Sequence, residues 1–516
     1  SVPAVSGSGP WTIAVDAGTS SVRALAVDAA GAVRTVAQRP LAQHLPRPGW
    51  VEHDPGEILD AATATLVEVG RWIAARHEPV AAIGLTNQRE TVVAWDLRDG
   101  VAAAPAIVWQ DRRTAERCRE LERAGALPEV RARTGLVLDP YFSATKMAWF
   151  LDQPLLRDLG RRGHLALATV DTWLTWNLTG GPEGGVYTTD PTNASRTMLF
   201  DIVERRWSAE LCEIFEIPPG CLAEVRPTCG RVASISPALA GASGIGPVPL
   251  SAVAGDQQSA LFGQCCFTAG TAKVTYGTGS FTLANCGPEP PPPPAGLLVS
   301  VGWDLGGHGG SLPDVTYVLE GASFVSGAAI GWLQDRLGII GEASDIGPLA
   351  CSVDGSNGLR VVPAFSGLGS PWWDPSARGA IVGITRGTGR AHLARAVVEA
   401  MAFQVRGTVE AMETAMGHPL DELRADGGAA VIDLLLETQS DLLGIPVVRA
   451  ATGESTALGA ATLAGLAEGT WDTPADLASR WQMERRFRPG PGARTAGQEY
   501  RQWLAALERS RHWVRE

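Results

Sequence analysis

Two short turns of the same chemistry, half a chain apart, constrain this sequence more than any other feature. The first is DAGTSS at 16–21, between apolar runs at 12–15 and 22–27. The second is YGTGS at 276–280, between a run at 272–276 and another at 281–284. Each reads as a hairpin: β-forming residues, a tip of glycine and hydroxyl groups, and a returning strand. Gly18 and Gly277 lie 259 residues apart in a chain of 516. At roughly 100–200 residues per domain, each half has room for a fold of its own. The expectation is a duplicated architecture of two similar lobes.

The remaining pattern alternates. Strands are expected at 80–85 and 91–95, with a helix at 55–77 before them and a charged helix at 111–126. In the second half a long amphipathic helix is expected at 391–416, with Leu393, Val397, Met401, Val409 and Met412 near helical spacing. A strand at 423–425 then leads through Asp426-Gly427-Gly428 into a helix at about 431–443. Mixed strands and helices throughout place the chain in the α/β class. The run 288–294, proline except for Glu289, is an extended segment. It reads as a stiff surface loop between two strands, with a ligand for a proline-binding module as the alternative. Residues 1–10 carry neither the charged nor the apolar part of a secretory signal. No apolar run approaches 18 residues, so no membrane span is expected.

Charge narrows the function. Lys and Arg number 43 against 55 Asp and Glu, a net of −12, which argues against a nucleic-acid binder and a polybasic membrane anchor. Only Lys146 and Lys273 are lysines; the other 41 basic residues are Arg. Neither lysine follows a glycine, so the chain has no GxxxxGK[ST] phosphate loop, and neither lies in a protein-kinase VAIK strand. The eight cysteines form no CxxC and fit no zinc module. Free thiols suit a reducing cytosol, so a cytoplasmic setting is expected.

A chain without a phosphate loop must hold phosphate with backbone N–H groups and hydroxyls. DAGTSS alone is no better than a plain turn. Paired with YGTGS and Asp426-Gly427-Gly428, it describes three turns after strands that would grip a nucleotide from two sides. In Ala254-Gly255-Asp256-Gln257-Gln258, Asp256 suits a general base beside a small polar substrate, and equally a cap for the helix that follows. Arg89-Glu90 after a strand offers donors and acceptors to neighbouring hydroxyls, or is a surface ion pair. Trp109, Tyr141 and Phe281 are walls for the carbon face of a polyol, or core aromatics.

Taken together, these segments resemble the FGGY carbohydrate kinases, and within them the members that phosphorylate glycerol. The resemblance runs from Thr12 to about Trp503. YFSATKMAWFLDQ at 141–153 fits one family signature and GAIVGITRGTGRAHLARAVVE at 379–399 the other. PGWVEHDP at 48–55 and TNASRT at 192–197 are further typical stretches. The resemblance implies a two-lobed actin/hexokinase-like (ribonuclease H-like) fold with a deep interdomain cleft, whose closure limits wasteful ATP hydrolysis. It implies an N-terminal lobe at 11–262 for the acceptor and first phosphate loop, and a C-terminal lobe at 263–516 for the nucleotide. It implies transfer of the ATP γ-phosphoryl to a terminal hydroxyl of glycerol, and a homo-oligomer, dimer or tetramer. The family's glycerol contacts fall on Arg89, Glu90, Trp109, Tyr141, Asp256, Gln257 and Phe281, with Asp256 as base. Asp16 would help hold Mg²⁺. Thr19, Ser20, Ser21, Arg23 and Thr278 would meet the phosphates, and Gly327 and Gly428 the nucleoside side. Ala17, Gly331, Ile432 and Asp433 depart from the family's usual residues, all on the nucleotide side. Pro247 and Thr495 stand where some bacterial members carry regulatory residues, so control by fructose 1,6-bisphosphate and by a sugar-transport partner is expected to be absent. The runners-up are another polyol or ketose kinase of the family and a catalytically silent nucleotide-binding relative.

Overall fold

The computed structural model describes residues 9–514. The expectation for residues 1–10 therefore falls largely outside the described residues.

The two expected hairpins nucleate two sheets. Across the first sheet the strands run Val33–Pro40, Ser21–Val27, Trp11–Ala17, Val80–Asn87, Pro249–Gly255 and Cys229–Ser234. Their junctions are antiparallel, antiparallel, parallel, parallel and antiparallel. The second sheet runs Val315–Ser323, Ser280–Gly287, Thr271–Tyr276, Glu422–Asp426, Val447–Ala450 and Met483–Phe487. It repeats the same five junctions in the same order. Leu298–Asp304 adds a seventh strand outside Val315–Ser323. The duplication read from two turns thus extends to whole sheets.

Helices cover the sheets because their apolar faces have nowhere else to go. Pro55–Ala74 starts with Asp54 as cap, its carboxylate accepting from the Gly56 N–H at 2.7 Å, and buries Ile58, Ala62, Leu66, Val69 and Ile73 on the first sheet. Arg390–Met416 buries Val397, Met401, Val405, Val409 and Met412 on the second. The two halves also interlock. Ser455–Ala467, from the second half, lies on the first sheet and against Asp256–Gly263. A Cβ on Gly84 would stand 2.0 Å from the Ala460 carbonyl oxygen, and one on Gly459 1.8 Å from that of Ser259. Only bare backbone permits so close an approach.

The expected helix at 111–126 is a turn followed by two shorter helices, Ala115–Arg123 and Leu127–Thr134. Asp111 and Arg113 instead tie this turn to Val51 and Glu52. The proline run bridges Ser280–Gly287 and Leu298–Asp304, and Arg131 Nη2 donates to the carbonyls of Pro293 and Pro294. The loop reading holds. No helix among the described residues is long and apolar enough to cross a membrane.

Candidate active site

Parallel strands end together, and the loops after their carboxyl ends form the crevice of an open α/β sheet. In the first sheet Ala17 pairs with Asn87, and Asn87 with Gly255. Thr19, Arg89–Glu90 and Asp256–Gln257 follow these three ends directly. With Trp109, Tyr141 and Phe281 they line one pocket of about 40 Å³. All seven residues expected to contact the acceptor are therefore brought together, Phe281 from the second sheet and the rest from the first half.

Arg89 and Glu90 are not a surface pair: each is 2 % exposed, and their closest approach is 3.9 Å. Their partners are two residues the sequence reading did not single out. Glu320 takes both ends of the Arg89 guanidinium, at 2.6 and 3.0 Å, and accepts from Arg196 Nη2 at 3.0 Å. Arg196 Nε donates to Glu90 at 2.6 Å and Nη1 to the Ser300 hydroxyl at 2.9 Å. Arg196 and Glu320 are both fully buried. The result is a buried chain of alternating charge, Arg89–Glu320–Arg196–Glu90. Burial alone would push the Glu320 carboxyl up, but Arg196 and Arg89 outweigh it and hold it at about 2. For Glu90 burial wins, and its carboxyl lies above the ordinary value. Glu90 also has φ +62°, a conformation rare for a residue with a Cβ, which turns its side chain into the network.

Among the described residues, Arg89 Nε has no hydrogen-bond partner although it is buried; it faces the Asp256 carboxylate at 3.3 Å. A buried donor without a partner is costly unless a ligand satisfies it. Asp256 opens the helix Asp256–Gly263, with Gly255 as the cap, and its carboxylate accepts from the Gln257 N–H at 2.7 Å. Asp256 is therefore not the helix cap, which is Gly255, and its side chain lines the pocket. Burial raises its carboxyl, while Arg89 and Lys273 pull it back. Trp109 stands edge-on to Tyr141 and Phe281 at ring-centre distances of 5.7 and 6.3 Å, and donates from Nε1 to the Thr19 hydroxyl at 3.0 Å. Thr19, expected to meet the phosphates, is therefore part of the wall of this pocket.

The other expected phosphate residues lie around the hairpin tips. Ser20 and Thr278 are exposed, and the Ser21 hydroxyl accepts from Gln38 at 3.0 Å. Arg23 reaches Asp16 at 3.5 Å and Glu454 at 2.9 Å. Asp16 is buried, and burial, with Asp256 and Glu454 adding to it against Arg23, pushes its carboxyl up to about 7. A carboxylate under that strain fits a bound cation, which would offset the charge burial penalises. Among the described residues no group of three or more His, Cys, Asp and Glu side chains forms a metal cage. The fit is therefore to a cation held largely by non-protein ligands, as Mg²⁺ on phosphates is.

On the second sheet the turn at 277–279 meets two others. The N–H groups of Ser326 and Ala328 donate to the Thr278 carbonyl, and that of Gly327 to Gly277. Gly427, at φ +91°, packs so tightly on Tyr276 that a Cβ would lie 2.6 Å from its carbonyl oxygen. Gly327 and the Gly427–Gly428 turn thus border the second hairpin turn. Of the departures, Asp433 is already paired with Arg449 and Arg485, Ile432 is buried, and Ala17 ends the first strand.

Two sheets of one topology, with a charge-lined pocket after the strand ends of the first and glycine turns at the tips of both hairpins, define the actin/hexokinase-like class. Residues 11–263 match the N-terminal domain of the FGGY family of carbohydrate kinases and residues 272–468 its C-terminal domain. The chain is 49 % identical over 506 residues to a glycerol kinase of Bordetella parapertussis, covering 98 % of each chain. It is 48 % identical over 508 residues to a glycerol kinase of Thermus brockianus, covering 98 % of this chain and 99 % of the other. Among solved structures it matches Plasmodium falciparum glycerol kinase with ADP, at TM-score 0.89 and 30 % identity, covering 98 % and 99 % of the two chains. A xylulose kinase of Lactobacillus acidophilus shares the fold at TM-score 0.85 and 20 % identity, covering 96 % and 97 %. The chain belongs to the FGGY family of carbohydrate kinases.

Proposed function

We propose that this chain transfers the γ-phosphoryl group of ATP to a terminal hydroxyl of glycerol, giving glycerol 3-phosphate and ADP. The observation that carries the reading is the single pocket of Arg89, Glu90, Trp109, Tyr141, Asp256, Gln257 and Phe281. It offers a triol an unpartnered buried donor, carboxylate acceptors and aromatic walls. Near-half identity over the whole length of named glycerol kinases supports it.

Phosphoryl transfer asks a protein for positioning and charge compensation more than for covalent chemistry. Arg89 Nε donates to one hydroxyl, Glu90 accepts from another, and Trp109 and Phe281 pack on the carbon chain. Asp256 takes the proton of the attacking hydroxyl as the bond to phosphorus forms. Thr19, Ser20, Ser21, Arg23 and Thr278 meet the phosphates from the two hairpin tips, and Gly327 and Gly428 border the nucleoside. Asp16 would help hold Mg²⁺, which would supply charge offset on the transferred group. The acceptor and first phosphate loop belong to 11–262 and the nucleotide turns to 263–516. Self-association as a dimer or tetramer rests on the family resemblance. A cytoplasmic setting rests on eight cysteines that are all free.

The test is an acceptor screen with purified chain, ATP and Mg²⁺ on glycerol, erythritol, xylulose and ribulose. Glycerol should give the highest kcat/KM by a wide margin. A ketose preferred over glycerol would refute the reading in favour of another kinase of the same family.

A further inference from the structure

The two lysines break the habit of the rest of the sequence. Arg supplies 41 of 43 basic residues, yet Lys146 and Lys273 are both fully buried and both stand against the acceptor pocket. Lys146 Nζ donates to the carbonyls of Tyr141 at 2.6 Å and Phe142 at 2.9 Å, fastening the turn that presents Tyr141. Lys273 lies on the strand Thr271–Tyr276, and its Nζ donates to Gln257 Oε1 at 2.5 Å and Thr275 Oγ1 at 2.9 Å. Arginine is no substitute in such a place. Its donors are spread over a rigid plane, whereas an ammonium is one point with three donors on a flexible stem. A chain that uses Arg almost everywhere has kept Lys at two buried points beside one pocket.

We propose that Lys273 is a positioning residue of the acceptor site, acting through Gln257. An ammonium can only donate, so it selects the oxygen of the Gln257 amide. The amide N–H₂ is then the group left to meet an acceptor hydroxyl. Thr275 passes the constraint on: its hydroxyl donates to Asp426 at 2.6 Å, and Asp426 also accepts from Gln264 at 2.9 Å. The second sheet thereby fixes a side chain of the first. The charged groups facing the ammonium are Asp426, Asp256 and Glu320, with Arg89 as the like charge. Lys273 is thus also one of two cations that hold the Asp256 carboxyl down against burial.

This inference rests on the glycerol reading, and the experiment separates the two. Glycerol-dependent ADP release is measured for the unaltered chain, Lys273→Met and Lys273→Arg. Both variants should lose about 100-fold in kcat/KM for glycerol, the scale of a misplaced substrate contact, with the KM for ATP within about threefold of the unaltered chain. In Lys273→Met the acid limb of the glycerol kcat/KM profile should also move to higher pH, because Asp256 loses a cation. An unmoved limb with an unchanged glycerol KM, or a loss that falls on ATP instead, overturns the assignment. Should Lys273→Met not fold, the cycle of Lys273→Arg with Gln257→Leu decides. If Lys273 acts through Gln257, the double variant is no worse than the worse single; losses that multiply overturn it. No glycerol-dependent release by the unaltered chain would refute the glycerol reading itself.

Discussion

Glu320 is the residue whose loss should be felt most widely. It lies in the strand Val315–Ser323, fully buried, with three charged hydrogen bonds from Arg89 and Arg196. Its carboxyl falls from an ordinary value of 4.5 to about 2. At about 1.4 kcal/mol per pH unit this is worth about 3 kcal/mol. The figure agrees with the roughly 3–5 kcal/mol lost when one partner of a buried ion pair is removed. The sign follows from the depression: the contribution is complete above 4.5 and is lost as pH falls toward about 2. Glu320→Gln keeps the shape and removes the charge, leaving two guanidiniums to share Glu90 and Asp256. Urea denaturation at pH 7 should show a loss of about 3 kcal/mol, and the same variant should have a glycerol KM raised at least roughly tenfold, because Arg89 loses its bidentate anchor. The stability difference between variant and unaltered chain should shrink below pH 4. An unchanged urea midpoint together with an unchanged glycerol KM would refute the reasoning, since Glu320 would then anchor nothing.

Further consequences concern single groups. Asp256→Ala should retain the fold by circular dichroism and lose about 10²–10⁴-fold in kcat; near-normal turnover would remove Asp256 as the base. Because burial raises the Asp256 carboxyl, kcat/KM for glycerol should fall on acidification at pH values where a free aspartate is still ionised; a profile flat down to pH 4 would contradict this. Arg89→Ala should raise the glycerol KM much more than the ATP KM, measured with each substrate varied in turn. Gly427→Ala forces a Cβ against Tyr276 and should raise the KM for ATP while leaving that for glycerol in place.

Much of this was legible before any coordinate. The hairpins announce themselves by alternating β-formers around glycine tips, and their repetition gives the duplicated sheets. The long helix at 391–416 is visible because its apolar residues keep one period. The helix expected at 111–126 is realised only from Ala115 to Arg123, because the charged residues before it belong to a turn rather than a helical face. Here Asp111 and Arg113 instead satisfy a buried turn. Glu320 and the role of Arg196 were hidden for a different reason. Their partners lie 231 and 106 residues away, at Arg89 and Glu90, and no local pattern encodes such pairing. A signal existed all the same: Glu320 is the one Asp, Glu, Lys or Arg in its strand, and a buried charge needs a partner. Lysine scarcity was a second signal. It ruled out a phosphate loop when read as an absence, and it pointed to the pocket when the two survivors were located.

The central claim is that glycerol is the acceptor of a phosphoryl group from ATP, and ADP release coupled to a reporter enzyme tests it most directly. With ATP and Mg²⁺ present, release should be slow without glycerol and rise strongly and saturably when glycerol is added. Release that is equally fast without glycerol, or absent in both conditions, would contradict the account.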